Sequence, residues 1–274
     1  VDFALVPRTS SRTTPEAPDG APWEPPELRL VCLDIDDTLI DCTAAIRLSL
    51  RALTGQNDLW PLWDLITEEH VALVVAGEID YATMHHKRTE CFLAEIGILA
   101  DEEQVSGFER RRREILTRSW QLFEDVLPCL EWLRAAGVLV AAVTNASGTH
   151  QRKKIADLGL ARFFDHVAIA GELGVAKPDP AMFHSVCLGL GCDPAQAVHV
   201  GDKLDTDAIG ARDAGLGAVW LDRDGIAERA PAGVHTISGL DELPELLVSE
   251  FAKLGVPAQR ATETPAFTVR NSVL

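Results

Sequence analysis

The sequence predicts an α/β protein, an open sheet of parallel strands with helices on both faces, interrupted once by an all-helical insert. Two observations carry that expectation. Short β-rich runs alternate with helix-like stretches along most of the chain, and one connection, residues 42–127, is far longer than a crossover needs.

The elements follow in order. Residues 1–27 hold Pro7, Pro15, Pro18, Pro22, Pro25 and Pro26 among serines and threonines, the composition of an extended, poorly ordered arm. The first strand is expected at 28–35. Residues 42–127 come next, where a crossover would need only about a dozen residues. Amphipathic patterns at 44–53, 59–75, 81–96 and 102–122 make this stretch helical, so a second, all-α domain is expected after the first strand. Strands at 138–144, 166–170, 197–201 and 217–221 then alternate with helices at 128–136, 149–158, 180–190 and 206–214. Strand–helix–strand repetition with right-handed crossovers gives parallel strands. The core is therefore expected over 28–41 and 128–250, the insert over 42–127 and a polar tail over 251–274.

Composition narrows the class. With 47% hydrophobic and 24% charged residues the chain reads as a soluble protein, and no apolar run approaches the roughly 18 residues of a membrane span. No membrane partner is expected, and a start without a basic-then-apolar leader points to a cytoplasmic location. Cys32, Cys42, Cys91, Cys129, Cys187 and Cys192 form neither a CxxC pair nor zinc-finger spacing, and are expected mostly as buried free thiols. The net charge of −17, from 25 basic and 42 acidic residues, repels phosphate backbones, so nucleic acid is not an expected partner. The same field demands that any site for an anionic substrate be locally cationic. A monomer and a homodimer fit the sequence equally.

Four segments at strand ends carry candidate chemistry. The first strand runs out through Leu33-Asp34-Ile35-Asp36-Asp37-Thr38, where residues two apart share a face and two carboxylates leave an apolar strand together. Such a pair repels itself unless a cation lies beside it, and an oxygen-only site suits Mg²⁺. Asp37 and Thr38 serve equally well as the cap of a following helix. Thr144-Asn145-Ala146-Ser147 offers hydroxyl, amide and backbone N–H groups to phosphate oxygens, or an ordinary helix cap. Lys177, beside Pro178 and Pro180, sits on a stiff loop, either aimed inward or solvated. Gly201-Asp202-Lys203-Leu204-Asp205-Thr206-Asp207 adds a hard oxygen ligand in Asp202 and a further acid in Asp207. Each segment alone has a bland reading. Together, at the carboxyl ends of strands, they make a kit for a metal and a phosphate.

In motif order, Asp-x-Asp-x-Thr at 34–38, Thr144, Lys177-Pro178 and Gly-Asp-x-x-x-x-Asp at 201–207 resemble the haloacid dehalogenase (HAD) superfamily over residues 28–221. The helical insert resembles that superfamily's C1-type cap, near the subfamily I phosphatases, on a Rossmann-like core. The resemblance implies an Mg²⁺-dependent phosphate monoester hydrolase for a small phosphorylated metabolite such as a sugar phosphate or nucleotide. It makes Asp34 the nucleophile and Asp36 the acid for the leaving alkoxide, then the base for water. It gives Mg²⁺ to Asp34, the Asp36 carbonyl and Asp202, and the phosphoryl oxygens to Thr144 and the Asn145 backbone. Lys177 would neutralise nucleophile and phosphate, Thr38 would support the site, and Asp207 would orient Lys177 or a metal-bound water. Asp205 is extra to the motif.

Other members of the superfamily give the alternatives. A 2-haloacid dehalogenase expels halide, which needs no proton, and dispenses with the second acid that Asp36 supplies here. A phosphomutase and a catalytically silent binding module share the fold. A phosphonate hydrolase needs a lysine from the cap, where Lys87 stands alone. Substrate choice is expected in the insert. There Arg110 to Arg113 read as a solvated, salt-bridged helix face, His85, His86, Lys87 and Arg88 as a polar cluster, and Trp60 and Trp63 as core. Cys42 and Thr43 are expected in a hinge loop.

Overall fold

The computed structural model describes residues 27–226 and 230–251; the expected arm before residue 27 and the tail after 251 lie outside the described residues. Six strands build one sheet: β1 (Leu30–Leu33), β2 (Leu139–Thr144), β3 (His166–Ile169), β4 (Ala197–Gly201), β5 (Gly217–Leu221) and β6 (Val234–Ile237). Their order is β3-β2-β1-β4-β5-β6, and every pairing is parallel. Sequence reading expected five of these strands. It missed β6, a four-residue edge strand whose two middle residues, His235 and Thr236, are not buried.

The helices are α1 (Cys42–Thr54), α2 (Trp60–Val75), α3 (Tyr81–Glu95), α4 (Glu102–Ser119), α5 (Val126–Ala135), α6 (Gly148–Asp157), α7 (Ala170–Leu173), α8 (Pro180–Leu190), α9 (Gly210–Asp213) and α10 (Leu243–Glu250). Alternate residues of β1 serve opposite faces of the sheet. Val31 and Leu33 join the cluster under α5, α6 and α10, while Leu30 and Cys32 join the one under α8 and α9. The insert encloses a third cluster of its own, with Leu50, Trp63, Phe92, Val105 and Phe108 buried between α1, α2, α3 and α4. Three of its four helices start on side-chain caps: Asp41 accepts from Ala44 N, Asp80 from Thr83 N, and Asp101 forms a capping box with Gln104.

The chain passes between core and insert twice, side by side. Ile40 bridges Leu122 in antiparallel fashion, Asp41 N donates to Gln121 O at 3.0 Å and Phe123 N to Leu39 O at 3.2 Å. This pairing ends α4 at Ser119, short of the expected 122, because residues 120–123 are drawn into the double crossing. It also corrects the hinge expectation: Cys42 and Thr43 are already helical, and Thr43 donates to Asp37 from both its amide (2.8 Å) and hydroxyl (2.9 Å).

The arginine run departs from its expectation as well. Arg112 is buried and, with Arg88 and Arg113, converges on the buried Glu109, while Arg110 and Arg111 stay exposed. Arg88 and Arg112 also lie over the Trp63 ring, at 4.3 and 4.6 Å from its centroid. Trp63 is core, as expected; Trp60 is only half-buried.

Candidate active site

The strand order reverses at β1: β2 and β3 lie to one side of it, β4 to β6 to the other. Ligands of open α/β sheets bind at such a reversal, beyond the carboxyl ends of the strands. Asp34 leaves β1 there, its amide donating to Val200 O of β4 at 2.9 Å. Lys177 comes in from the loop before α8. Its Nζ donates to Asp34 Oδ1 (2.6 Å), Asp207 Oδ1 (2.6 Å) and Val143 O (2.8 Å), so the ammonium is buried with all three donors used. Asn145 clamps the Lys177 peptide, accepting from its N–H and donating to its C=O, both at 2.8 Å. The Lys177–Pro178 bond is cis.

Asp207 projects from a single π-turn, Leu204–Ile209, that replaces the first part of the helix expected at 206–214. The turn carries Asp207 back under Gly201, where an added Cβ would overlap its carboxyl carbon. His199 Nε2 lies 3.0 Å from Asp207 Oδ1, and Lys203 N donates to Oδ2 at 3.0 Å. Although burial works the other way, Lys177 and His199 hold Asp207 well below the usual carboxylate range. Thr38, fully buried, donates to Asp202 Oδ1 at 3.4 Å and accepts from its amide at 3.2 Å. Asp205 is exposed.

Oxygens of Asp34, Asp202 and Asp207 lie within 4.8 Å of one another. Asp207 is neutralised by Lys177. Asp34 and Asp202 are not neutralised to the same degree. Burial, against the pull of Lys177, pushes Asp34 up to about 7, and burial followed by the Asp34 charge pushes Asp202 up to about 8. Two neighbouring acids raised by burial and by nearby carboxylates, Asp207 and Asp36 on Asp34 and Asp34 on Asp202, are the donor set that a hard divalent cation would relieve. The residues present fit Mg²⁺.

Asp36 goes elsewhere. Its carboxylate meets Lys154 Nζ at 2.5 Å, Cys42 Sγ at 3.0 Å and Gln151 Nε2 at 3.2 Å. Against burial, Lys154 and then Cys42 hold it below the usual range. Its side chain is thus outside the three-carboxylate cluster, which leaves only its carbonyl for an ion. Gln151 also donates to Thr144 Oγ1 at 3.1 Å, tying the acid's surroundings to the end of β2. Trp120 lies 5.4 Å from the Lys154 ammonium. Sequence reading missed Lys154, Gln151 and Cys42. Gln151 and Lys154 are one turn apart on the helix after Thr144, which was the available clue.

Helix α6 begins without a side-chain cap, since Ser147 makes no capping bond and Asn145 is committed to Lys177. The bland reading of 144–147 as a capped helix start therefore fails. The first N–H groups of α6 and the Thr144 hydroxyl stand at the carboxyl end of β2, adjoining Lys177, where a phosphoryl group could accept from them. The insert reaches this spot too, with Tyr81 OH donating to Asn145 O at 3.4 Å.

The haloacid dehalogenase-like hydrolase family model matches residues 28–215. Glyceraldehyde 3-phosphate phosphatase of Methanopyrus kandleri is 30% identical across 82% of this chain and 99% of its own length. N-acylneuraminate-9-phosphatase of Rattus norvegicus is 36% identical across 84% of this chain and 97% of its own length. Among solved structures, the HAD-hydrolase YfnB of Bacillus subtilis bound to magnesium matches with a TM-score of 0.71 at 25% identity, over 81% of this chain and 99% of that one.

Proposed function

Because the chain belongs to the haloacid dehalogenase-like hydrolase family, we propose that it is a Mg²⁺-dependent phosphate monoester hydrolase acting on a small phosphorylated metabolite, a sugar phosphate or a nucleotide. The observation that carries this reading is the division of two neighbouring acids between two lysines. Lys177 holds Asp34 and Lys154 holds Asp36, so nucleophile and acid are kept as separate groups.

In this scheme Asp34 attacks phosphorus, forming an aspartyl-phosphate as the bond to the leaving oxygen breaks. Asp36, ionised beside Lys154, passes to that oxygen a proton drawn from the Lys154 ammonium, then takes one from the water that attacks phosphorus, returns it to Lys154, and inorganic phosphate is released. Thr144 and the Asn145 backbone hold the phosphoryl oxygens, and Lys177 balances charge at the nucleophile. Asp207 fixes the Lys177 ammonium, and Thr38 fixes Asp202. Asp34, Asp202 and the Asp36 carbonyl would hold Mg²⁺, which offsets negative charge around the reacting phosphorus. The insert, in contact with Asn145 through Tyr81, acts as the cap that excludes bulky esters and favours small ones.

A screen of phosphate release over a panel of phosphorylated metabolites, with halide release from 2-chloropropionate alongside, tests the reading. Phosphate release with no dehalogenation is the expected result. Halide release without phosphate release would move the chain to the dehalogenases, where an acid held like Asp36 has no proton to deliver. Chelation provides a second check. Stripping divalent ions with EDTA should abolish release, and Mg²⁺ should restore it; full activity after stripping would remove the metal from the scheme.

Lys154 yields a sharper prediction. Lys154→Met removes the cation that positions Asp36 and supplies the proton it passes on, so esters of poorly leaving alcohols should suffer most. The expected loss in kcat/KM is on the order of 10- to 100-fold for an alkyl phosphate, but only a few-fold for p-nitrophenyl phosphate, whose leaving group needs little protonation. Equal losses on both would show that Lys154 does not act through Asp36.

A further inference from the structure

Outside the phosphate site, the insert carries a cavity of about 580 Å³ between α3 and α4, lined by His85, His86, Arg110 and Arg113 among others. Its floor is unevenly charged. Three guanidinium groups, from Arg88, Arg112 and Arg113, converge on the one carboxylate of Glu109. On the rim Glu114 stands beside Arg110 and Arg118. Arg110, Arg113 and Arg118 line the cavity with Glu109 and Glu114, and Arg88 and Arg112 lie buried against Glu109, so positive charges outnumber negative ones in a chain whose overall charge is −17. A salt-bridged helix face built only for solubility would match its signs. An excess positive charge beside partly buried groups is costly until an anion completes it.

The neighbouring imidazoles are consistent with an incomplete site. Burial, then the Arg88 charge, pushes His85 down to about 3, so its ring is neutral. His85 Nδ1 and Arg88 Nε are buried without a hydrogen-bond partner. Across the gap His150 of α6 lies with its ring 6.2 Å from that of His85, and burial followed by Arg113 lowers its pKa too.

His150 also locates the cavity relative to the chemistry. It precedes Lys154 by four residues on α6, on the same helix face and about 6 Å along the axis. Lys154 holds Asp36, the proposed acid for the leaving group. Through His85 and His150 the cavity thus adjoins the helix whose Lys154 holds the proposed leaving-group acid.

We propose that this cavity is a subsite for a second anionic group on the leaving alcohol, a carboxylate or a second phosphate, held chiefly by Arg113 and Arg110. The proposal rests on the hydrolase reading above and adds the class of ester that the site prefers. Arg113 is the suitable anchor because its side chain is 41% exposed, while Arg112, at 5%, is already committed beneath it.

Matched substrate pairs test it. 3-Phosphoglycerate against glycerol 3-phosphate reads a carboxylate, and fructose 1,6-bisphosphate against fructose 6-phosphate reads a second phosphate. The wild type should prefer the more anionic member of at least one pair by about tenfold or more in kcat/KM. Arg113→Met and, separately, Arg110→Gln should each cut that preference at least several-fold, mainly through KM, with Arg113→Lys retaining part of it. Either variant leaves Arg88 and Arg112 on Glu109, and circular dichroism checks that the fold is kept. Equal turnover within both pairs, or a preference untouched by both variants, overturns the subsite while hydrolysis stands. No turnover of any ester removes the hydrolase reading, and the subsite with it.

Discussion

Asp34→Asn is expected to lower phosphate release by about 10⁴-fold or more, in a protein that still folds and melts close to the parent. The substitution keeps shape and one carbonyl oxygen but removes the anionic nucleophile, and an amide is a poor one. Structure should survive for a local reason. Lys177 keeps Asp207 Oδ1 and Val143 O as partners, each within 2.8 Å, so its buried charge is still matched. Removing the negative charge also relieves Asp202, which the Asp34 charge pushes up. Rapid acid quench during turnover should trap phosphate on the wild type and none on the variant. Residual activity within tenfold of wild type, or equal trapping on both proteins, would end the covalent scheme on Asp34.

The legibility of this site in the sequence follows from how each residue reaches it. Asp34, Thr144 and Asp202 stand at strand ends, and a strand end in an open sheet has one destination. Period-two alternation and a crossover rule were enough to bring those segments together. Lys177 was nominated by stiff neighbours, yet the Asn145 clamp that aims it joins two loops and leaves no local trace. Lys154 and Gln151 depend on how α6 is rotated against the sheet, which periodicity alone fixes only coarsely. The DxD reading was incomplete for a related reason. Beyond the last residue of β1 the backbone is no longer regular, and Asp36 turns to Lys154 while Asp34 turns to Lys177. Asp207 enters through a π-turn, a local irregularity that helix propensities do not reveal.

The arginine run shows the same limit most clearly, because Glu109 lies within its own helix but its partners do not. Arg112 and Arg113 sit three and four residues on, as helix spacing allows, whereas Arg88 and the Trp63 ring come from α3 and α2. That convergence makes Glu109 the one carboxylate that Arg88, Arg112 and Arg113 share. Against burial, which opposes ionisation, Arg112 and then Arg88 hold its carboxyl down at about 2. A depressed acid stabilises above its unfolded value, roughly 4.3, and the contribution is lost as pH falls toward the folded one. Glu109→Gln leaves the guanidinium groups without a counter-charge, at a cost of about 3–5 kcal/mol, or about 10 °C in melting temperature at neutral pH. The gap between wild type and variant should hold from pH 7 to 5 and narrow as the pH falls from there toward 3, where protonation begins to disarm Glu109 in the parent. Adding Arg112→Met should recover part of the loss, since one unmatched cation then leaves with its partner and the new side chain packs on Trp63. A melting temperature unchanged within about 2 °C at pH 7 would mean that the three arginines are balanced without Glu109, and that the cationic character assigned to the neighbouring cavity lacks its physical basis.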